Sequence, residues 1–201
     1  IKKAKVAFVK THTWKFASQH VKNSITNYIS DLQKKGINVR EVELPDAFSE
    51  AHEIQDVVFS KSVSYYFNDE YKNKKNSLQE KTLERIEKGK SISMNEFLEN
   101  IDKQDFLENE LSNFFSNYDF IITHSTASTA PKDESNIENP DPSLIWALTR
   151  VPSLNIPQFM NNKLPFGFQI ISKKYNDYKL LEFCNYLKKL NLIPDQSKVP
   201  F

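Results

Sequence analysis

The sequence predicts an α/β fold, and three observations lead there. Short apolar runs alternate with amphipathic helical stretches. The first such alternation, residues 5 to 44, has the layout of a β-α-β unit. The chain of 201 residues is 39% hydrophobic and 26% charged, enough for one globular domain with a core of its own.

The elements follow in order. Val6, Ala7, Phe8 and Val9 form a continuous apolar run, the pattern of a strand covered on both faces. Val21, Ile25, Tyr28, Ile29 and Leu32 then mark one face of a helix, and Lys34-Lys35-Gly36 supplies cations and a left-handed cap, so the helix should stop at Lys35. Val39, Val42 and Leu44 run into Pro45 as a second strand, parallel to the first. From about 48 to 118 the pattern is helical, an insertion between the β-α-β unit (5–44) and a second β/α segment (119–190) of a single domain. Within it, Ser77 to Glu80 and Ser93 to Glu96 match the capping box, and Glu70 to Asn76 reads as an exposed connection. Phe120, Ile121 and Ile122 make a buried strand, followed by the small-residue loop Thr123 to Pro131. Lys132 to Pro140 reads as a surface loop, and Asp141 should cap a helix with Pro142 at its first position. Ser153 to Ile156 and Phe166 to Ile171 look like strands separated by a loop, and Asp177 can cap the last helix.

Composition excludes several functions. Lys plus Arg number 27 against 26 Asp plus Glu, so no broad field draws in nucleic acid or an anionic membrane. The single Cys184 excludes an internal disulfide framework and any multi-cysteine zinc site, and it fits a cytoplasmic chain. No apolar run approaches the ~18 residues that span a bilayer. Only 3 glycines occur, Gly36, Gly89 and Gly167, far apart. A P-loop, a dinucleotide fingerprint or a nucleophile elbow needs them clustered.

The remaining chemistry is sparse. His12, His20, His52 and His124 lack the spacing of metal ligands, so no metal is expected. Cys184 lies in an apolar helical stripe, where its pKa should rise. His124, on the loop after a strand, reads as either a scaffold group or a general base without an evident nucleophile. The hydroxyls from Thr123 to Ser128 could orient a polar ligand or hold the loop by local hydrogen bonds. Trp146 reads as core or pocket wall.

The order of these segments resembles the C-terminal half of amidase signature enzymes. The resemblance rests on Asp119-Phe120-Ile121-Ile122-Thr123-His124-Ser125 with Ala130-Pro131, on Trp146 through Pro157, and on Leu164-Pro165-Phe166-Gly167-Phe168-Gln169. The opening, Lys35-Gly36 followed by Val39 through Pro45, fits the same family. What the resemblance implies is a mixed β-sheet flanked by helices on both faces and hydrolysis of a carboxamide by a Ser, cis-Ser, Lys triad. The family's catalytic lysine and Gly-rich double-serine segment match nothing here, so no catalytic residue is carried over and no cofactor is implied. The chain is expected to be the scaffold and pocket wall of such an enzyme, inactive alone, with the N-terminal catalytic half as its partner. A homodimer is left open, and a non-catalytic binding module derived from an amidase is the alternative. By the same resemblance Thr123, Ser125, Trp146 and Arg150 are the candidates for contact with a small-molecule amide substrate. His124 stands where the family often has proline, and Arg150 where it often has glycine.

Overall fold

A computed structural model describes residues 1–131 and 141–194; the surface loop expected at Lys132 to Pro140 lies outside the described residues. The chain forms two compact units, one of residues 1–46 with 110–201 and one of residues 47–109.

The first unit holds a five-stranded sheet in the order β2-β1-β3-β5-β4. Its strands are β1 (Lys5–Val9), β2 (Asn38–Val42), β3 (Phe120–His124), β4 (Ser153–Asn161) and β5 (Leu164–Ser172). β1 runs parallel to both β2 and β3, while β5 is antiparallel to β3 and β4, so the sheet is mixed. Strand alternation sends Val6, Phe8, Phe120, Ile122, Phe168 and Ile170 to one face. There they pack with Val21, Ile25 and Leu32 of α1 (Gln19–Lys34) and Leu180, Phe183 and Leu187 of α7 (Asp177–Lys189). Phe120 and Phe183 stack with their ring centroids 4.1 Å apart. The opposite face is also buried, through Ala7, Val9, Ile121, Thr123 and Ile171. Gln169 ties that face to Pro142, two residues ahead of α6 (Leu144–Leu148).

The expected cap of α1 is present. Gly36 has φ +80°, its N–H donates to Gln33 O, and the Ile37 N–H donates to Leu32 O, the paired bonds of a Schellman motif. Asp141 accepts from the Ser143 N–H at 2.8 Å and orders the entry to α6, although the helix itself begins later, at Leu144. Asp177 is not the cap of α7 but its first residue, where its charge meets the positive end of the helix.

The last two strands are longer than their apolar runs suggest and form one hairpin. Asn162 and Lys163, with φ 49° and 65°, make a two-residue turn of the type that needs left-handed backbone at both positions. Pro157 is tolerated because β4 is an edge strand and the ladder is irregular between Ile156 and Phe159. The Ile156 carbonyl folds over Gly167 there: a Cβ on Gly167 would lie 2.0 Å from that oxygen.

The second unit is helical, with α2 (Ala51–Tyr66), α3 (Asn68–Asn73), α4 (Glu80–Ser91) and the greater part of α5 (Met94–Phe114). α2 and α4 meet at Gly89, whose Cβ would lie 1.9 Å from Ser60 O. Beside this contact Asp56 bonds Arg85 and Lys88. Burial raises its pKa, but the two cations outweigh that and hold it below the usual carboxylate range. Of the two expected capping boxes, the one at Ser93 forms its hydroxyl half, with Glu96 N–H donating to Ser93 Oγ at 3.1 Å. The other does not form: Ser77 ends a 3-10 turn and Gln79 precedes α4, so Glu80 is the first helical residue. Lys72 to Asn76 are exposed as expected, yet the stretch is partly helical, because Asp69 and Glu70 at the start of α3 and Lys72 at its end complement the helix dipole. No helix among the described residues is long and apolar enough to cross a membrane.

Gly167→Ala forces the bulge carbonyl away from β5 and should destabilise the protein by about 3 kcal/mol, within the usual cost of overpacking. Urea unfolding checks this. A variant as stable as the parent would show that the Ile156 carbonyl can move freely.

Candidate functional site

β1 and β3 are adjacent, and the chain leaves their carboxyl ends in opposite senses. After β1 it runs through a 3-10 turn (His12–Phe16) to α1 on one face, and after β3 it runs toward α6 on the other. A crevice at such a topological switch point is where open α/β sheets bind ligands. The two loops are joined directly: the Ser18 N–H donates to Ala127 O at 2.8 Å.

The side chains at this point form a buried chain of hydroxyls around one imidazole. Thr11 Oγ1 lies 2.8 Å from Thr13 Oγ1, which lies 2.9 Å from His124 Nε2. On the other side of the ring, Thr123 Oγ1 is 3.2 Å from Nδ1. Trp14 meets His124 edge to face, 5.3 Å between centroids. Burial, with smaller contributions from the charges of His12 and Lys22, lowers the His124 pKa to about 4. The imidazole is therefore neutral near pH 7; its Nε2 ties β3 to the loop after β1, while Nδ1 meets the adjacent Thr123 on the same strand. Proline cannot make these bonds, so the departure at His124 replaces a rigid backbone with a hydrogen-bonded hub.

A second strut comes from the Leu-Pro-x-Gly-x-Gln segment. Gln169 sits opposite Thr123 in the β3–β5 ladder, and its Nε2 donates to His124 O at 2.9 Å and Pro142 O at 3.2 Å. One buried carboxamide thus holds both ends of the connection from β3 to α6.

The four residues proposed for substrate contact are distributed as follows. Thr123 is fully buried in the network above. Ser125 is half-buried at the strand end, and its hydroxyl has no hydrogen-bond partner among the described residues. Trp146 is in the core, with its indole N–H buried and without a protein acceptor among the described residues. Arg150 is exposed, just past α6. Its φ is 56°, the Arg150 N–H donates to Ala147 O and the Val151 N–H to Trp146 O. Arg150 thus occupies the left-handed position of a Schellman cap, which accounts physically for glycine there. In the loop after β3, Thr126 Oγ1 donates to Ser128 O at 2.6 Å, so local bonding holds that part of the loop. Thr11 and Thr13 do not stand out in the sequence. Their one signal is the Thr-His-Thr after the first buried run, which parallels Thr-His-Ser-Thr after the third. Cys184 is buried in the α7 stripe, and burial pushes its thiol up to about 11.

A family model described as Amidase matches residues 1–181. Among solved structures, one described as an amidase superposes with a TM-score of 0.82 at 17% identity, covering 94% of this chain and 46% of that one. Kluyveromyces lactis allophanate hydrolase gives 0.76 at 18% identity, covering 99% of this chain and 34% of that one. A bacterial aryl acylamidase of the amidase signature enzymes gives 0.70 at 12% identity, covering 89% of this chain and 42% of that one. The chain therefore spans less than half of the length of these structures. No curated protein is significantly similar in sequence.

Two outcomes are expected. The unfolded state protonates an ordinary histidine near pH 6.5, whereas folded His124 resists protonation until about 4. Its contribution is therefore complete above ~6.5 and is lost as pH falls toward ~4, by up to about 3 kcal/mol. Urea unfolding at several pH values should show this slope, and His124→Gln should flatten it. Arg150→Gly and Arg150→Val both remove the arginine side chain, but only glycine then takes the left-handed backbone without a cost of roughly 1 kcal/mol. Arg150→Val should melt several degrees lower, and equal melting of the two would exclude the cap.

Proposed function

Because the chain belongs to the amidase signature family, we propose that it is the scaffold and pocket-wall half of an amide hydrolase that converts a carboxamide to an acid and ammonia or an amine. The observation that carries this reading is the pairing of 94% coverage of the chain with 46% coverage of an amidase. The serine nucleophile, the bridging serine, the lysine and the oxyanion-binding backbone amides would come from a catalytic half.

In this reading the switch point faces the substrate. Ser125 offers its hydroxyl to the amide, whereas Arg150 stands beside the amino end of β3, where the Pro152 carbonyl accepts from the Ser172 N–H opposite Phe120, and so lies away from Ser125. Thr123 and Trp146, both buried, hold the wall on which Ser125 stands. The hydroxyl and imidazole network keeps the wall rigid, so that the substrate meets a preorganised surface. The competing reading, a binding module without catalysis, draws on the same observation that the catalytic motifs match nothing in the sequence.

The test has two parts. Sequencing the reading frame upstream of the Ile1 codon should reveal a lysine followed by a Gly-rich double-serine segment. Ammonia release from a panel of carboxamides should be undetectable with residues 1–201 alone and should appear when the two halves are expressed together. Ser125→Ala in the joined protein should then raise KM about tenfold with a smaller change in kcat. Joined halves that bind amides without releasing ammonia would leave the binding module as the function.

A further inference from the structure

At the other end of the sheet, near the amino ends of β1 and β2, a cleft of about 300 Å³ is lined by Lys5, Asn38, Arg40, Asn117 and Tyr118. Strand alternation puts Lys5, Asn38 and Arg40 on one face, opposite to the face packed by α1 and α7. Lys5 is in register with Asn38, and Ala7 with Arg40, so the two cations are diagonal neighbours. Like charges so placed repel one another. Asn117 and Tyr118 close the cleft from the turn between α5 and β3, and the Tyr118 ring stacks on Phe114 with centroids 5.1 Å apart.

These charges are uncompensated. Neither the Lys5 ammonium nor the Arg40 guanidinium has an acidic partner among the described residues. Asp119, the acid next to Tyr118, is committed: Oδ1 takes Lys179 at 2.7 Å, and Oδ2 accepts from the Lys5 backbone N–H at 2.9 Å. Burial works against its ionisation, but these donors outweigh that and hold its pKa below the usual value. Glu41, next to Arg40, points to the other face and pairs with Lys10. What remains is a guanidinium fork, an ammonium, two carboxamides and a phenol, four kinds of hydrogen-bond donor in one small concavity.

From this we infer that the cleft is a second ligand site, specific for a phosphoryl oxyanion carried by inorganic phosphate or a small phosphomonoester. A dianion balances the two cations, and the planar fork of Arg40 matches two phosphoryl oxygens. The site lies at the opposite end of the strands from the Thr and His network, and the inference does not rest on the amide-hydrolase reading.

Calorimetric titration of residues 1–201 with inorganic phosphate and with glycerol 3-phosphate, against sodium chloride at matched ionic strength, tests it. Saturable binding of at least one phosphoryl ligand is expected. Arg40→Gln and Lys5→Gln should each weaken it roughly tenfold with unchanged melting temperature, since both side chains are exposed. Lys81→Gln, the same charge change in the helical unit, should leave it intact. Equal affinity for the two ligands identifies free phosphate as the source, and a tenfold preference for the ester identifies a phosphorylated metabolite. Absence of saturation by about 10 mM, or equal weakening by Lys81→Gln, overturns the inference.

Discussion

The parallel pairing of β1 with β3 is the constraint on which the first unit depends. Val6, Ala7 and Phe8 lie opposite Phe120, Ile121 and Ile122, which are more than a hundred positions away in the chain. Only that register brings the loop after β1 to the loop after β3, so that Thr13 can reach His124 and Ser18 can reach Ala127. A slip by one residue would exchange the two faces of β1 and turn Phe8 away from the α1 and α7 core. Strand ends alone would not hold the loops in place. The buried bonds of His124 and Gln169 do so, and each leaves polar groups stranded if broken.

Backbone geometry explains features that look like chemistry in the sequence. Gly167 is required because the Ile156 carbonyl occupies the space of its Cβ, and Gln169 is required as a strut, so the most distinctive segment of the resemblance is structural in this chain. Arg150 shows the converse. It stands at a left-handed cap where glycine is unstrained, so the cap keeps its geometry there at a backbone cost.

The parts of the fold legible in the sequence are those set by local pattern. The apolar runs of β1 and β3, the five-residue apolar face of α1 and its Gly36 cap can all be read, because burial and capping leave their marks within a few residues. The hairpin of β4 and β5 is only half legible: half-buried edge residues and Pro157 mask the alternation, and the turn falls on Asn162 and Lys163 without a glycine. The capping box at Ser77 is sequence mimicry, since Gln79 and not Ser77 takes the extended conformation that enters α4. At the candidate site, His124 and Thr123 are visible as polar residues after a buried strand. Their partners Thr11 and Thr13 are not, because the contact depends on strand pairing across the whole helical unit of sequence.

The two ends of the sheet differ in a way that composition conceals. A formal charge of +1 suggests a surface without preference. At the carboxyl ends of β1 and β3, Thr11, Thr13 and His124 are buried, uncharged and bonded to one another, which fixes the shape of that end. At the amino ends, the same sheet carries Lys5 and Arg40 in adjoining positions with no acid among the described residues to answer them. The near-equality of 27 basic and 26 acidic residues over the whole chain is thus not repeated at this end of the sheet. Local imbalance, and not net charge, is what distinguishes a surface built to meet an anion from one that is merely solvated.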